Sequence, residues 1–99
     1  MNVGYAIRLC RGRRGVSQTD VAQRANCSVS YLSMLENNKR DPTLSTIVKI
    51  AEALQVPVGV MFFLASEKAE LGQIDEDTVK AIERAALASL QSLAEAAHE

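Results

Sequence analysis

The 99-residue sequence has two cysteines, one histidine and no apolar run long enough to span a bilayer, and each scarcity removes a class of protein. Cys10 and Cys27 are too few for a disulfide scaffold and too far apart for a CxxC redox or metal motif. His98 stands alone near the C-terminus, so no cluster of good metal ligands is visible, and neither a metal nor another cofactor is expected. The longest apolar stretch, VPVGVMFFLA at 56–65, is interrupted by Gly59 and falls short of the roughly 18 residues of a membrane span. No membrane partner is expected. Arg8, Arg11, Arg13 and Arg14 fill the place where a secretory signal would carry its apolar segment, which points to a cytoplasmic address. Catalysis is not expected either, because there is no histidine beside a nucleophile, no glycine-rich phosphate loop and no paired acids at an evident cleft.

What is present is enough apolar material, 47% of residues, for one small folded domain. The net charge of -1 hides a division along the chain. Residues 1–66 carry eight basic side chains against four acidic ones, a balance of +4, whereas residues 67–99 carry three against eight, a balance of -5. Only the first part suits a polyanion. The expected organisation is therefore a domain over 1–66, a polar hinge at 67–73 containing Gly72, and a C-terminal helix over 74–99.

Periodicity and capping residues divide the first part into five helices. VGYAIRLCRGRR at 3–14 is amphipathic, and Gly15 stops it. Ser17 is suited to cap a two-turn helix that ends near Arg24 and turns Val21, Ala22 and Ala25 inward. Asn26 tolerates a left-handed turn, after which Ser28 caps a third helix from about Val29 to Asn37. Pro42 keeps Asp41 out of helix. Thr43 or Ser45 then opens a core helix with an apolar stripe of Leu44, Ile47, Val48, Ile50, Ala51 and Leu54. Pro57 suits the first turn of a fifth helix reaching about residue 66. In the tail, Val79, Ile82, Ala86, Leu90, Leu93 and Ala97 recur every 3.6 residues on average, predicting one long straight helix.

Two short helices joined by a tight turn, with a basic helix before them and a core helix after, have the layout of a helix-turn-helix reader. The string IRLCRGRRGVSQTDVAQRANCSVSYLSMLENNKRDPTLSTIVKIAEALQVPVGVMF, within about residues 3–64, resembles the lambda-repressor and Cro-like, or XRE-type, regulators. Gln18 opens the second helix, Ala22 sits at the close approach, and Leu32 and Leu35 anchor the third. Asn26 and Asn38 replace glycines usual in that family, and both tolerate positive φ. The resemblance implies an all-α, five-helix lambda-repressor-like DNA-binding domain, here followed by a C-terminal amphipathic helix. It also implies contacts to double-stranded DNA from Gln18, from Ser28, Val29 and Ser30 at the groove-entering end, and from Tyr31, Asn38, Lys39 and Arg40. Arg11 and Glu36 resemble a family ion pair.

A helical wheel reaches the same face independently. With Leu32 and Leu35 turned to the core, Ser30, Ser33, Met34 and Asn37 centre on the opposite side and Val29 lies at its edge. Hydroxyls and amides can donate to and accept from base edges or phosphates, while Val29 and Met34 can meet a thymine methyl. Each residue also has a plainer reading: Lys39 and Arg40 as solvated charges, Tyr31 as a cover on the core edge, Met34 as filler. Cys27, in the turn, is read as an inert small residue rather than a redox sensor.

A reader of this kind gains affinity by pairing on a two-fold site, so a homodimer is expected. Its interface is placed on Met61, Phe63 and Leu64 together with Val79, Ile82, Ala86, Leu90 and Leu93, the alternative being that the tail packs on its own subunit. The function expected is a homodimeric repressor binding a palindromic operator through the third helix, with a regulatory protein partner as one route for its signal. An antitoxin or restriction-modification controller with the same module remains open, as does a protein-interaction adaptor.

Overall fold

The computed structural model describes residues 1–90, which form six α-helices and one 3-10 turn with no strand among them. Helix α1 spans Val3–Arg14, α2 Gln18–Arg24, α3 Val29–Glu36, α4 Leu44–Leu54, α5 Val58–Ala65 and α6 Glu76–Ala88. Leu93 and Ala97, expected on the last helix, lie outside the described residues.

Local chemistry sets most of the boundaries. The side chains of Ser17, Ser28, Thr43 and Asp75 each accept from a backbone N–H in the first turn of the helix they precede, at 2.8–3.2 Å. Asp75 also accepts from the Thr78 hydroxyl, and these bonds hold its carboxyl below the usual carboxylate range. Gly15 ends α1 in the left-handed region at φ 67°. Gln55 does the same for α4 at φ 55°, a position that polar character alone did not reveal. The Arg14 guanidinium reaches across from α1 to the carbonyls of Leu54 and Gln55, placing a cation at the negative end of α4.

The five expected helices pack around one core drawn from all of them: Ile7 and Cys10, Val21 and Ala22, Leu32 and Leu35, Ile47, Ile50 and Leu54, then Met61 and Ala65. Leu32 and Leu35 are buried almost completely, each worth about 2 kcal/mol. They fix which side of α3 faces out.

Three expectations need correction. Leu44, the first residue of α4, is 65% exposed rather than part of the core stripe. Pro57 is the residue before α5 rather than inside it, with φ -56° and ψ 135°. Within the segment 67–73, Lys68–Leu71 form a 3-10 turn closed by Glu67 and Glu70, with the terminal amine of Met1 2.8 Å from Glu70 Oε1. That pairing lowers the Glu70 carboxyl and raises the amine from their ordinary values. Finally, α6 ends at Ala88, where the Ser89 hydroxyl donates to the Ala86 carbonyl and competes with helix continuation. Leu90 lies past that end and is 5% exposed, packed into the core of its own chain.

Candidate nucleic-acid interface

The turn between α2 and α3 is built from three backbone devices. Ala25 closes α2, Asn26 takes φ 57°, and the Cys27 N–H donates to the Ala22 carbonyl at 2.9 Å. Asn26 thus does what glycine would do, its short amide tolerating the left-handed region. Ser28 then starts α3, its Oγ accepting from the Tyr31 N–H at 3.0 Å while its own proton stays available to an acceptor outside the chain. Burial pushes the Cys27 thiol up from its ordinary value, and the Cys10 thiol up to about 11, which disfavours the reactive thiolate at both.

Along α3 and at its C-cap, Val29, Ser30 and Asn37 are exposed, and Tyr31, Ser33 and Met34 are half-buried. The serines and Val29 form a small, mostly neutral face. No arginine stands on it, so two-pronged contact to guanine does not originate from this helix. Asn37 folds back, its Nδ2 donating to the Ser33 carbonyl at 2.8 Å, which leaves its Oδ1 as an acceptor.

Two residues expected at this surface are engaged inside the subunit. Gln18 Nε2 donates to Glu36 Oε1 at 3.1 Å. The Asn38 side chain spans from α3 to α1, its Oδ1 accepting from the Gly4 N–H at 3.2 Å and its Nδ2 donating to Asn2 Oδ1 at 2.9 Å. Asn38 also has φ 57°, closing α3 with the Lys39 N–H donating to the Met34 carbonyl at 2.8 Å. Lys39 and Arg40 are therefore the cations of a loop tied down at its start. Both are exposed, and the Arg40 guanidinium lies 5.7 Å from the Tyr31 ring centroid.

Beneath this face Arg11 and Glu36 form the ion pair that the family resemblance implied, Nε to Oε2 at 2.8 Å and Nη2 to Oε1 at 3.0 Å. Glu36 is 1% exposed, which makes it the one buried charged group of the described residues. The residues that sequence reasoning passed over are Asn2 and Gly4. A Cβ on Gly4 would come within 2.6 Å of the Leu35 carbonyl and 2.8 Å of the Glu36 carbonyl, so only glycine lets α1 approach the end of α3 this closely.

The residues expected at a dimer interface separate into two groups. Met61 is 1% exposed and, with Leu90, is spent on the subunit's own core, so neither side chain is available to a partner. Phe63, Leu64, Val79 and Ala86 are half-buried, and Ile82 is 40% exposed. Gly59, Val60, Phe63, Ile82, Ala85 and Ala86 line a shallow apolar groove between α5 and α6. Among the described residues no cluster of His, Cys, Asp or Glu could hold a metal ion, and no single helix is long and apolar enough to cross a membrane.

A family model described as helix-turn-helix matches residues 7–60. The chain is 34% identical over 83 residues to the immunity repressor protein of Bacillus phage phi105, across 80% of this chain and 58% of the repressor. It thus spans little more than half the length of that relative. It is 39% identical over 54 residues to the HTH-type transcriptional regulator y4dJ of Sinorhizobium fredii, across 54% of this chain and 70% of that one. The crystal structure of the clp gene regulator ClgR from C. glutamicum has the same fold with a TM-score of 0.64 at 26% identity, over 65% of this chain and 83% of that chain.

Proposed function

The chain belongs to the XRE-type helix-turn-helix family of DNA-binding regulators, and on that premise we propose that it represses transcription as a homodimer bound to a palindromic operator. The observation that carries this reading is the outer face of α3. Val29, Ser30 and Asn37 are exposed opposite the buried Leu32 and Leu35, with Lys39 and Arg40 immediately beyond. The helix enters the major groove by its N-terminal end, where Val29 meets a thymine methyl and the hydroxyls of Ser28, Ser30 and Ser33 meet base edges or phosphates. Met34 and the Asn37 Oδ1 reach the same groove further along. Gln18 keeps one amide N–H and its carbonyl for the backbone while its other N–H is held by Glu36. With no arginine on the helix, much of the sequence preference comes from apolar contacts, water and DNA shape.

Dimerisation supplies the second half-site, about 34–36 Å away along the duplex. The apolar groove between α5 and α6 supports a second copy as its occupant, with Phe63, Leu64, Val79, Ile82 and Ala86 at the contact. The acidic second part of the chain stays away from phosphate. Such a protein works in the cytoplasm, where its DNA is, and takes its signal from a partner protein or from its own abundance. The test is selection of duplexes by the purified protein followed by sequencing. A recovered palindrome is expected, with Ser30→Ala and Ser33→Ala changing the preferred base at particular positions. Equal retention of all sequences, or a single unrepeated half-site, refutes the operator reading.

A further inference from the structure

We propose that the Tyr31 ring is a positioning residue for Arg40, holding its guanidinium in place to receive a DNA phosphate. The inference rests on the DNA-binding reading above but concerns a division of labour that the reading does not contain. Tyr31 lies in the first turn of α3, half-buried and packed against the core. Its ring is therefore a fixed surface. Arg40 is exposed and four residues beyond the end of α3, where a long side chain would otherwise sample many rotamers. With the guanidinium 5.7 Å from the ring centroid, the negative face of the ring attracts the cation and limits where it can go.

The backbone under Arg40 is also held. Asn38 is pinned to Gly4 and Asn2, and the Lys39 N–H is bonded to the Met34 carbonyl. A stack on Tyr31 therefore orders the one part of Arg40 that this anchoring leaves free. Arginine suits the task better than lysine, because its planar fork can lie on a ring and still donate to phosphate oxygens from its edge. A preordered cation loses less conformational freedom when DNA arrives, so the ring raises affinity without touching the duplex.

A double-mutant cycle tests this on a mixed-sequence duplex, where only phosphate contacts count. Tyr31→Leu should weaken binding about two- to five-fold, the range of an exposed cation–π contact, and leave the salt dependence unchanged, since the arginine charge still reaches phosphate. Arg40→Ala should weaken binding and reduce the salt slope by about one. In the Arg40→Ala background, Tyr31→Leu should then do nothing more. Tyr31→Phe should bind as the wild type does, because the ring and not the hydroxyl is used. Equal losses from Tyr31→Leu in both backgrounds would mean that Tyr31 contacts DNA itself, and would overturn the proposal. If Tyr31→Leu melts too low to assay, proton NMR of the free protein decides: Arg40 side-chain protons at ordinary random-coil shifts in the wild type would show that no stack exists, and upfield-shifted ones support it. Wild-type protein that binds no duplex in a salt-dependent way overturns the DNA reading and the proposal together, whereas additive losses in a protein that does bind overturn the proposal alone.

Discussion

Replacing Arg11 by alanine isolates the cost of a buried charge in this fold. Glu36 is 1% exposed and accepts from Arg11 Nε at 2.8 Å, Arg11 Nη2 at 3.0 Å and Gln18 Nε2 at 3.1 Å. Arg11→Ala removes two of those three donors and the one cation that, among the described residues, is paired with the carboxylate. It also removes the bond from Nη1 to the Val16 carbonyl. Stripping one partner from a buried pair costs about 3–5 kcal/mol, because the remaining charge stays desolvated. The Arg11 side chain is 24% exposed, so water can enter the vacated space, and the lower end, about 3 kcal/mol, is the better expectation. In a domain of this size each kcal/mol moves the midpoint by about 4–8 °C, so thermal unfolding followed by circular dichroism should show a fall of about 12–24 °C. Adding Glu36→Leu in an Arg11→Met background should recover most of the loss, since an apolar pair of similar volume replaces a buried ion pair at little cost. A single-variant loss under about 1 kcal/mol, or a double variant no better than the single, would refute the account of Glu36 as a charge held in place by its partners.

Two further perturbations follow from backbone geometry. Gly4→Ala should destabilise by about 1–3 kcal/mol in urea unfolding, because the new methyl meets the Leu35 and Glu36 carbonyls at 2.6 and 2.8 Å and backbone atoms cannot swing aside. An unchanged midpoint would show that α1 and α3 can separate freely. Asn26→Gly should leave the melting temperature unchanged or slightly higher, whereas Asn26→Val should lower it, since φ 57° is a poor place for a β-branched side chain. Similar melting for the two variants would mean that the turn relaxes to another conformation.

How much of this was legible in the sequence depended on how far apart the interacting groups lie. Ser17, Ser28, Thr43 and Gly15 act within a few residues of themselves, so hydroxyl and glycine signals located the helix ends. The faces of α3 were legible too, because Leu32 and Leu35 need only the helical repeat to define inside and outside. Gly4 and Asn38 were not legible in their roles, since their bond links positions 34 residues apart and nothing near either residue announces it. The same limit applied to α6: the apolar repeat continues through Leu90, but the Ser89 hydroxyl and the attraction of the core for Leu90 override it.

That distinction bears on which polar residues can reach DNA. A helical wheel counts every exposed amide and hydroxyl as available, yet a polar group already bonded within the subunit must break that bond before it can make another. On this surface Asn38 has both ends of its amide committed to α1, and Gln18 has one N–H committed to a carboxylate that cannot easily find a substitute. Ser30, Lys39 and Arg40 carry no such commitment to a hydrogen-bond acceptor among the described residues, and the Ser28 hydroxyl keeps its proton. The uncommitted groups therefore lie at the two ends of α3, with hydroxyls at its N-terminal end and cations just past the other. Asn2, Gly4, Asn38, Arg11 and Glu36 form the scaffold that sets the distance between them. A change in the scaffold should for that reason alter binding to every duplex alike, while a change at Ser30 alters the preference among them.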